Sequence, residues 1–145
     1  MSEIKKSAVK SVSFQLKGIE LLDFSLNHPK NEIPVNRVFN FEIKVEHKIL
    51  VENNIIAVVI TIDIYNDPKE AKLGSLMASC IFEIPGLKAY IDPKINLPEF
   101  PQDFLTTLNS ISISTVRGLM FSQFRGTFLH NAILPVVDPK SLVTQ

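Results

Sequence analysis

Apolar and polar residues alternate over four stretches in the first ninety residues of this chain, and this pattern limits the possible folds most strongly. The first stretch begins at Val12, the second covers Phe39–Val45, and the last two cover Ile56–Ile64 and Leu76–Ile84. Alternation with a period of two residues is typical of a β-strand that buries one of its faces. The sequence therefore predicts a sheet of four strands.

Turn-forming residues separate these stretches. The segment Asn27–Asn36 contains two prolines and predicts a loop. Asn53-Asn54 predicts a hairpin turn between the second and third strands, and Pro85-Gly86 is expected to end the fourth strand. The alternation of the first stretch changes phase at Gly18, which indicates a bulge or a bend at that point.

The third and fourth strands are apolar on both faces. One face is expected to cover the core of the domain, and the other also needs cover because large exposed apolar surfaces are usually occupied. A helix or loop of the same chain is one candidate for that cover, and a second subunit is the other. The residues of this second face are Ile55, Ala57, Val59, Met77 and Ile81.

A long helix is predicted over Phe104–Phe124, after a proline-rich, irregular connector at Leu87–Asp103. Ile111–Ser114 alternates locally like a strand, but a longer window has helical spacing. One predicted side consists of Phe104, Leu105, Leu108, Ile111, Val116 and Leu119. Small residues on an adjoining side allow a close neighbour and predict an oligomer interface: Ser110, Ser114, Gly118 and Ser122. A second apolar stripe is predicted at Ile113, Met120, Phe121 and Phe124.

Length and composition indicate one folded domain spanning residues 1–145, with residues 1–11 expected to be flexible and residues 140–145 to form a short tail. Fifteen basic and fifteen acidic residues cancel, which argues against a nucleic-acid-binding protein. Cys80 is the only cysteine, and this favours a reducing compartment. With no apolar signal segment and no run long enough to insert into a membrane, we expect a cytoplasmic protein.

Catalytic and metal-binding patterns are missing from the sequence. His28, His47 and His130 are isolated from other metal-ligating residues, whereas zinc needs three or four converging ligands. Cys80 falls on the predicted inward face of a strand, where a small core residue is expected. No glycine-rich phosphate loop follows any predicted strand. We therefore expect neither an enzyme, nor a metal site, nor a cofactor.

Three segments of the chain resemble the SecB family of bacterial export chaperones. The first is Phe14–Pro29, which is similar to the opening strand of the family, and the second is Ile81–Gly86, which is similar to its fourth strand and closing turn. The third is Arg117–Pro135, in which Arg125-Gly126-Thr127-Phe128 is similar to the turn that ends the long helix of the family. The three segments come in the family's order.

The resemblance implies an α+β fold, in which a four-stranded antiparallel sheet is packed against one long helix in the second half of the chain. It also implies an ATP-independent holdase, a chaperone that binds non-native polypeptides and in this family serves protein export. Family members assemble as a dimer of dimers, that is, a homotetramer. The turn glycine Gly126 is expected to be left-handed, with Arg125 near the negative end of the helix.

The resemblance also implies an apolar groove for unfolded polypeptides between the first loop and the helix. Each of its phenylalanines is equally open to interpretation as a core residue. The predicted groove residues are Phe121, Phe124, Phe128, Leu129, Ile133 and Leu134, with Ile33, Pro34 and Val35 as the rim.

A partnership with the export motor SecA is doubtful on the sequence. Asp23 and Leu73 match positions that face SecA in the family, but Asn27 and Ser75 replace expected acids, and the family's second helix and tail find no counterpart after Pro139. Two alternatives to a general chaperone stay open. One is a dedicated SecB-like chaperone of a toxin–antitoxin system, and the other is a non-enzymatic oligomeric scaffold or carrier.

Overall fold

A computed structural model describes residues 12–28, 38–67, 71–101 and 103–138 of the chain. Four long strands are followed by a small two-stranded hairpin and then by one long helix, α1. The predicted segments 1–11 and 140–145 lie outside the described residues. The long strands are β1 (Gln15–Leu26), β2 (Phe39–Leu50), β3 (Ile55–Asn66) and β4 (Lys72–Glu83); the short ones are β5 (Ile91–Asp92) and β6 (Leu97–Pro98), and α1 is Phe104–Gln123.

The four long strands form one antiparallel sheet in the order β1-β4-β3-β2, so that β1 and β2 are its edges. Together with α1 this confirms the predicted α+β architecture. Asn54 makes the β2–β3 connection with a left-handed backbone (φ 58°), as the predicted Asn53-Asn54 turn requires. The pairing of β1 with β4 shifts register between Leu16 and Gly18 and again between Leu21 and Asp23, and the first shift confirms the predicted bulge.

The centre of the sheet is buried on both faces. On the helix side, Ile56, Val58 and Ile60 of β3 are fully buried. On the outer side, Ala57 and Val59 are also buried, whereas Met77 and Ile81 of β4 are half-buried. On the outer face of β3, burial within the chain is therefore confined to Ala57 and Val59, and the predicted outer-face residue Ile55 is half-buried.

The helix packs mainly over β3 and β4, and its buried face differs from the predicted one. Leu108, Val116 and Phe104 are buried as expected, but Ile113 and Met120, which were predicted on a separate stripe, are buried beside them. Ile111 and Leu119 are only half-buried. The reason is that α1 is apolar on several sides, so that periodicity defines the faces relative to one another without showing which one meets the sheet.

Polar residues lie within the helix–sheet interface as well. Asn109 is buried on α1, and its Oδ1 is 2.7 Å from Nε2 of His47 on β2. This contact places the Asn109 side of the helix toward the β2 edge. Burial raises the pKa of the Cys80 thiol, which lies fully buried on β4 and stays protonated at neutral pH.

Aromatic rings connect the helix start to the far end of the sheet. Phe14 lies edge-on to Phe82 and to Phe104, with ring centroids 5.9 and 5.7 Å apart, and Phe104 contacts Phe100, which contacts Tyr90. The connector predicted as irregular therefore contains the β5–β6 hairpin and a 3-10 turn at Leu87–Tyr90, and these rings hold it against the body of the domain.

Candidate functional site

An aromatic surface lies where β1 ends and α1 ends, and we call its four residues the end patch: Phe24, His28, Phe124 and Phe128. The ring centroids of Phe24 and Phe124 are 5.0 Å apart, and those of His28 and Phe128 are 5.1 Å apart. Phe24 and His28 are exposed, Phe128 is half-buried and Phe124 lies beneath. The patch contains two predicted groove residues, Phe124 and Phe128, and two residues of the β1 end that were not predicted to belong to it.

A compact turn after α1 positions Phe128. Gly126 has φ +77°, which confirms its predicted left-handed conformation. The Thr127 hydroxyl donates to the Phe124 carbonyl (2.7 Å) and accepts the amide N–H of Leu129 (3.1 Å). Together with the bond from the Thr127 amide N–H to the same Phe124 carbonyl (3.1 Å), these bonds hold the turn directly after the helix.

Gly74, near the start of β4, allows this turn to pack onto the sheet. A Cβ atom at this position would lie 2.7 Å from Cδ1 of Leu129 and 3.3 Å from Cζ of Phe124. Any larger residue would displace the two side chains that anchor the turn. The role of Gly74 was not predicted from the sequence, because its neighbours in the chain do not show which side chains pack against it.

The structure divides the predicted groove residues into two groups. Phe124, Leu129 and Leu134 are buried in the core, so the prediction that they line an open groove is corrected. Their burial follows from the turn, which directs them onto the helix side of the sheet. Phe121 and Ile133 are exposed, and Phe128 is half-buried. The predicted rim, Ile33–Val35, lies outside the described residues, in the segment that begins directly after His28.

A second open apolar surface, which the sequence analysis did not single out, lies on β1. We call it the β1 shelf: Leu16, Ile19, Leu21 and Phe24. These residues pair with Phe82, Cys80, Ala78 and Leu76 of β4 and therefore share the face that carries α1. All four are exposed, from 37% to 48%, because the helix covers β3 and β4 but not this edge. The alternation within β1 indicated that these residues share a face, but only the position of α1 shows that this face stays exposed.

The outer side of α1 carries the predicted row of small residues, and all four members, Ser110, Ser114, Gly118 and Ser122, are exposed. Phe121 lies on the same side rather than on the opposite stripe to which the sequence analysis assigned it. Arg117 is the one charged residue of the helix, and its guanidinium turns aside to donate to the carbonyls of Leu134 and Pro135. The exposed face of α1 is thus uncharged over its whole length.

The two candidates for SecA contact lie in different environments. Asp23 is exposed, and its Oδ1 accepts the amide N–H of Phe24 at 2.8 Å. Leu73 is buried at 1% exposure, so it is corrected from a surface candidate to a core residue, and its carbonyl accepts the amide N–H of Asn27 at 2.9 Å. Leu73 is out of phase with the buried row Leu76, Ala78, Cys80 and Phe82, and it is buried at a point where the β3–β4 pairing shifts register.

Within the described residues, no three histidine, cysteine, aspartate or glutamate side chains come together in a group that could hold a metal ion. No described helix has both the length and the apolar character needed to cross a membrane. His130 Nδ1 lies 3.0 Å from the Thr127 carbonyl, in the turn after α1, and His47 contacts Asn109.

Comparison with solved structures identifies the fold. The chain is similar to the SecB-like chaperone Rv1957 of Mycobacterium tuberculosis, solved in complex with a ChAD peptide from the antitoxin Rv1956 HigA1, with a TM-score of 0.61 at 11% sequence identity. The match covers 92% of this chain and 95% of that one. The chain therefore has a SecB-like fold.

A further solved structure, a protein of unknown function from Streptococcus agalactiae, has a TM-score of 0.39 at 11% identity and covers 79% of this chain and 90% of that one. No protein-family profile matches the sequence, and no curated protein matches it.

Proposed function

We propose that this protein is an ATP-independent holdase that binds non-native polypeptides and works without catalysis or a cofactor. The observation that supports it most is the pair of open apolar surfaces, the end patch and the β1 shelf, on a SecB-like fold. Exposed aromatic and aliphatic side chains bind apolar segments of many sequences because the hydrophobic effect has no direction. Such a protein would act in the cytoplasm, where new polypeptides are unfolded.

The client-binding surface in this proposal is the end patch together with Phe121 on the last turns of α1. Phe128 and His28 lie in ring contact within this surface, and the predicted rim Ile33–Val35, which lies outside the described residues, stays a prediction. Burying apolar area contributes roughly 25 cal/mol per Å², and one site of this size holds a client weakly. Several copies of the site in one oligomer would strengthen binding through effective concentration.

Two surfaces are proposed for self-association. The uncharged outer side of α1 allows close approach of another helix along Ser110, Ser114, Gly118 and Ser122. The β1 edge offers unpaired backbone groups beside the exposed β1 shelf, and such an edge is suited to pairing with a second strand. Two independent surfaces are sufficient to build a dimer of dimers.

Replacing Gly118 tests the helix contact. A Cβ at Gly118 meets no atom within 4 Å inside the chain, so Gly118→Leu is tolerated by the folded subunit but prevents close approach of a second helix. We expect the mass measured by light scattering to fall to that of a smaller oligomer. Gly118→Ala is the control: it keeps the mass and raises helix stability by about 1 kcal/mol. An unchanged mass for Gly118→Leu would remove α1 from the interface.

Suppression of aggregation tests the proposed function itself. Stoichiometric amounts of the protein should reduce light scattering from a chemically denatured, unrelated protein on dilution, without added ATP. An effect on unrelated clients supports a general holdase. No effect on any unrelated client, at any ratio, would refute a general holdase and leave the dedicated chaperone and the scaffold as alternatives.

A dedicated chaperone is the second candidate, because the structurally similar Rv1957 was solved with a peptide from an antitoxin. It predicts tight binding of one particular peptide and poor protection of unrelated proteins. Export and a partnership with SecA belong to the general form of the proposal, and pull-down with purified SecA tests them. Asp23 is the exposed residue for that contact, since Leu73 is buried.

A further inference from the structure

The segment after the helix turn is joined to α1 by hydrogen bonds from Arg117. Residues 132–138 form neither helix nor strand. Within this segment the Leu134 side chain is 1% exposed, whereas that of Val136, two residues later, is 95% exposed. The buried side chains of Ala132 and Leu134 thus anchor a stretch whose Ile133 and Val136 side chains are exposed to solvent. We call residues 132–138 the strap.

Arg117 holds the strap by its main chain. Its Nε donates to the Leu134 carbonyl at 2.8 Å and its Nη2 donates to the Pro135 carbonyl at 2.9 Å. A guanidinium presents parallel donors in a fixed plane, which suits two successive acceptors. Because the acceptors are backbone carbonyls, this contact does not depend on the side chains of the bound segment.

We call the buried position of the Leu134 side chain the socket, and the Nε and Nη2 donors of Arg117 the fork. Together they have the parts of a peptide-binding site. The socket accepts one apolar side chain, and the fork accepts two consecutive carbonyls of an extended main chain. Pro135 lacks an amide N–H and cannot pair as a strand there, so the strap is held in this region without a sheet ladder.

We propose that the Arg117–Leu134 site binds extended apolar segments of client polypeptides, and that the strap is the chain's own competing occupant. The inference rests on the proposed function and adds a minimum strength of binding that a client must exceed. Since the strap is tethered, its effective concentration is high, on the order of millimolar. A client displaces it only when other apolar segments of that client are already bound, for instance at the end patch. Weakly apolar chains are then rejected.

Emptying the socket tests this. Leu134→Ser removes the anchor of the strap, and Val136→Ser on the same strap is the control because its side chain is in solvent. The probe is a fluorescently labelled peptide with the sequence of residues 131–138, followed by anisotropy. We expect Leu134→Ser to bind it at least tenfold more tightly than the unmodified chain or Val136→Ser. Adding Arg117→Met to Leu134→Ser should weaken binding of the peptide about tenfold. Equal binding by all four proteins would overturn the inference.

Hydrogen exchange of the unmodified protein supplies a second readout that needs no variant to fold. Exchange in the fragment covering residues 129–138 should rise when a permanently unfolded client is bound. If the client binds and this exchange is unchanged, the strap is not displaced and the inference fails while the holdase proposal stands. If no client binds but Leu134→Ser still takes the peptide, the site stands and the holdase proposal fails.

Discussion

Phe124→Ala should lower the free energy of unfolding by about 3–5 kcal/mol, the range for truncating a buried phenylalanine. The Phe124 side chain is 1% exposed and lies against Phe24 and beside the position of Gly74. Truncation leaves a cavity where the turn after α1 meets the sheet.

Phe121→Ala is the matched control, three residues earlier on the same helix. Phe121 is 47% exposed, and surface substitutions change stability by about 0.5 kcal/mol or less. Urea unfolding followed by circular dichroism measures both variants. Equal losses for the two phenylalanines would mean that both are buried, which contradicts the orientation of α1 described above.

Client holding should fall about thirtyfold when Phe121→Ser and Phe128→Ser are combined. Each ring that is partly exposed contributes on the order of 1 kcal/mol to binding an apolar segment, and about 2 kcal/mol corresponds to that ratio. In an oligomer the effect on a long client is larger because every copy of the site is weakened at once. Anisotropy of a labelled unfolded polypeptide gives the affinity.

The control for this pair is Ile95→Ser combined with Leu97→Ser. Both side chains are more than half exposed and lie on the β5–β6 hairpin, in a part of the chain that is not proposed to bind clients. These two substitutions remove a similar amount of exposed apolar surface from another part of the chain. If the control weakens holding as strongly as the phenylalanine pair, clients bind apolar surface generally and the proposed client site has no special role.

Strand content and turns were accessible from the sequence because they depend on neighbouring residues. Alternation along Ile56–Ile64 predicts a strand whatever lies beside it, and Asn54 and Gly126 have left-handed backbones that few other residues adopt as readily. The helix over Phe104–Gln123 follows from periodicity over five turns. The resemblance to the SecB family, carried by three short segments, implied an antiparallel sheet packed against one helix, whereas the strand order came only from the structure.

The candidate site was only partly accessible. Phe128 was predicted as a groove residue and lies half-buried in the end patch, whereas its partner His28 was set aside as an isolated histidine. Whether the two residues meet depends on how β1 and the turn after α1 converge, a hundred residues apart in the chain. The β1 shelf was missed for a related reason: its residues look like any half-buried row until the helix is placed over β3 and β4.

Local chemistry in the chain was enough to indicate strands, helix, turns and a surplus of apolar side chains. Only the packed domain decided which of them face solvent. With Arg117 as its sole charge, α1 has no polar side strong enough to select its own orientation, so contact with β3 and β4 makes that selection. This contact buries Phe124, Leu129 and Leu134 and leaves Phe121 and the β1 shelf outside. Burial depends on two surfaces in contact, and the local sequence of an element describes only one of them.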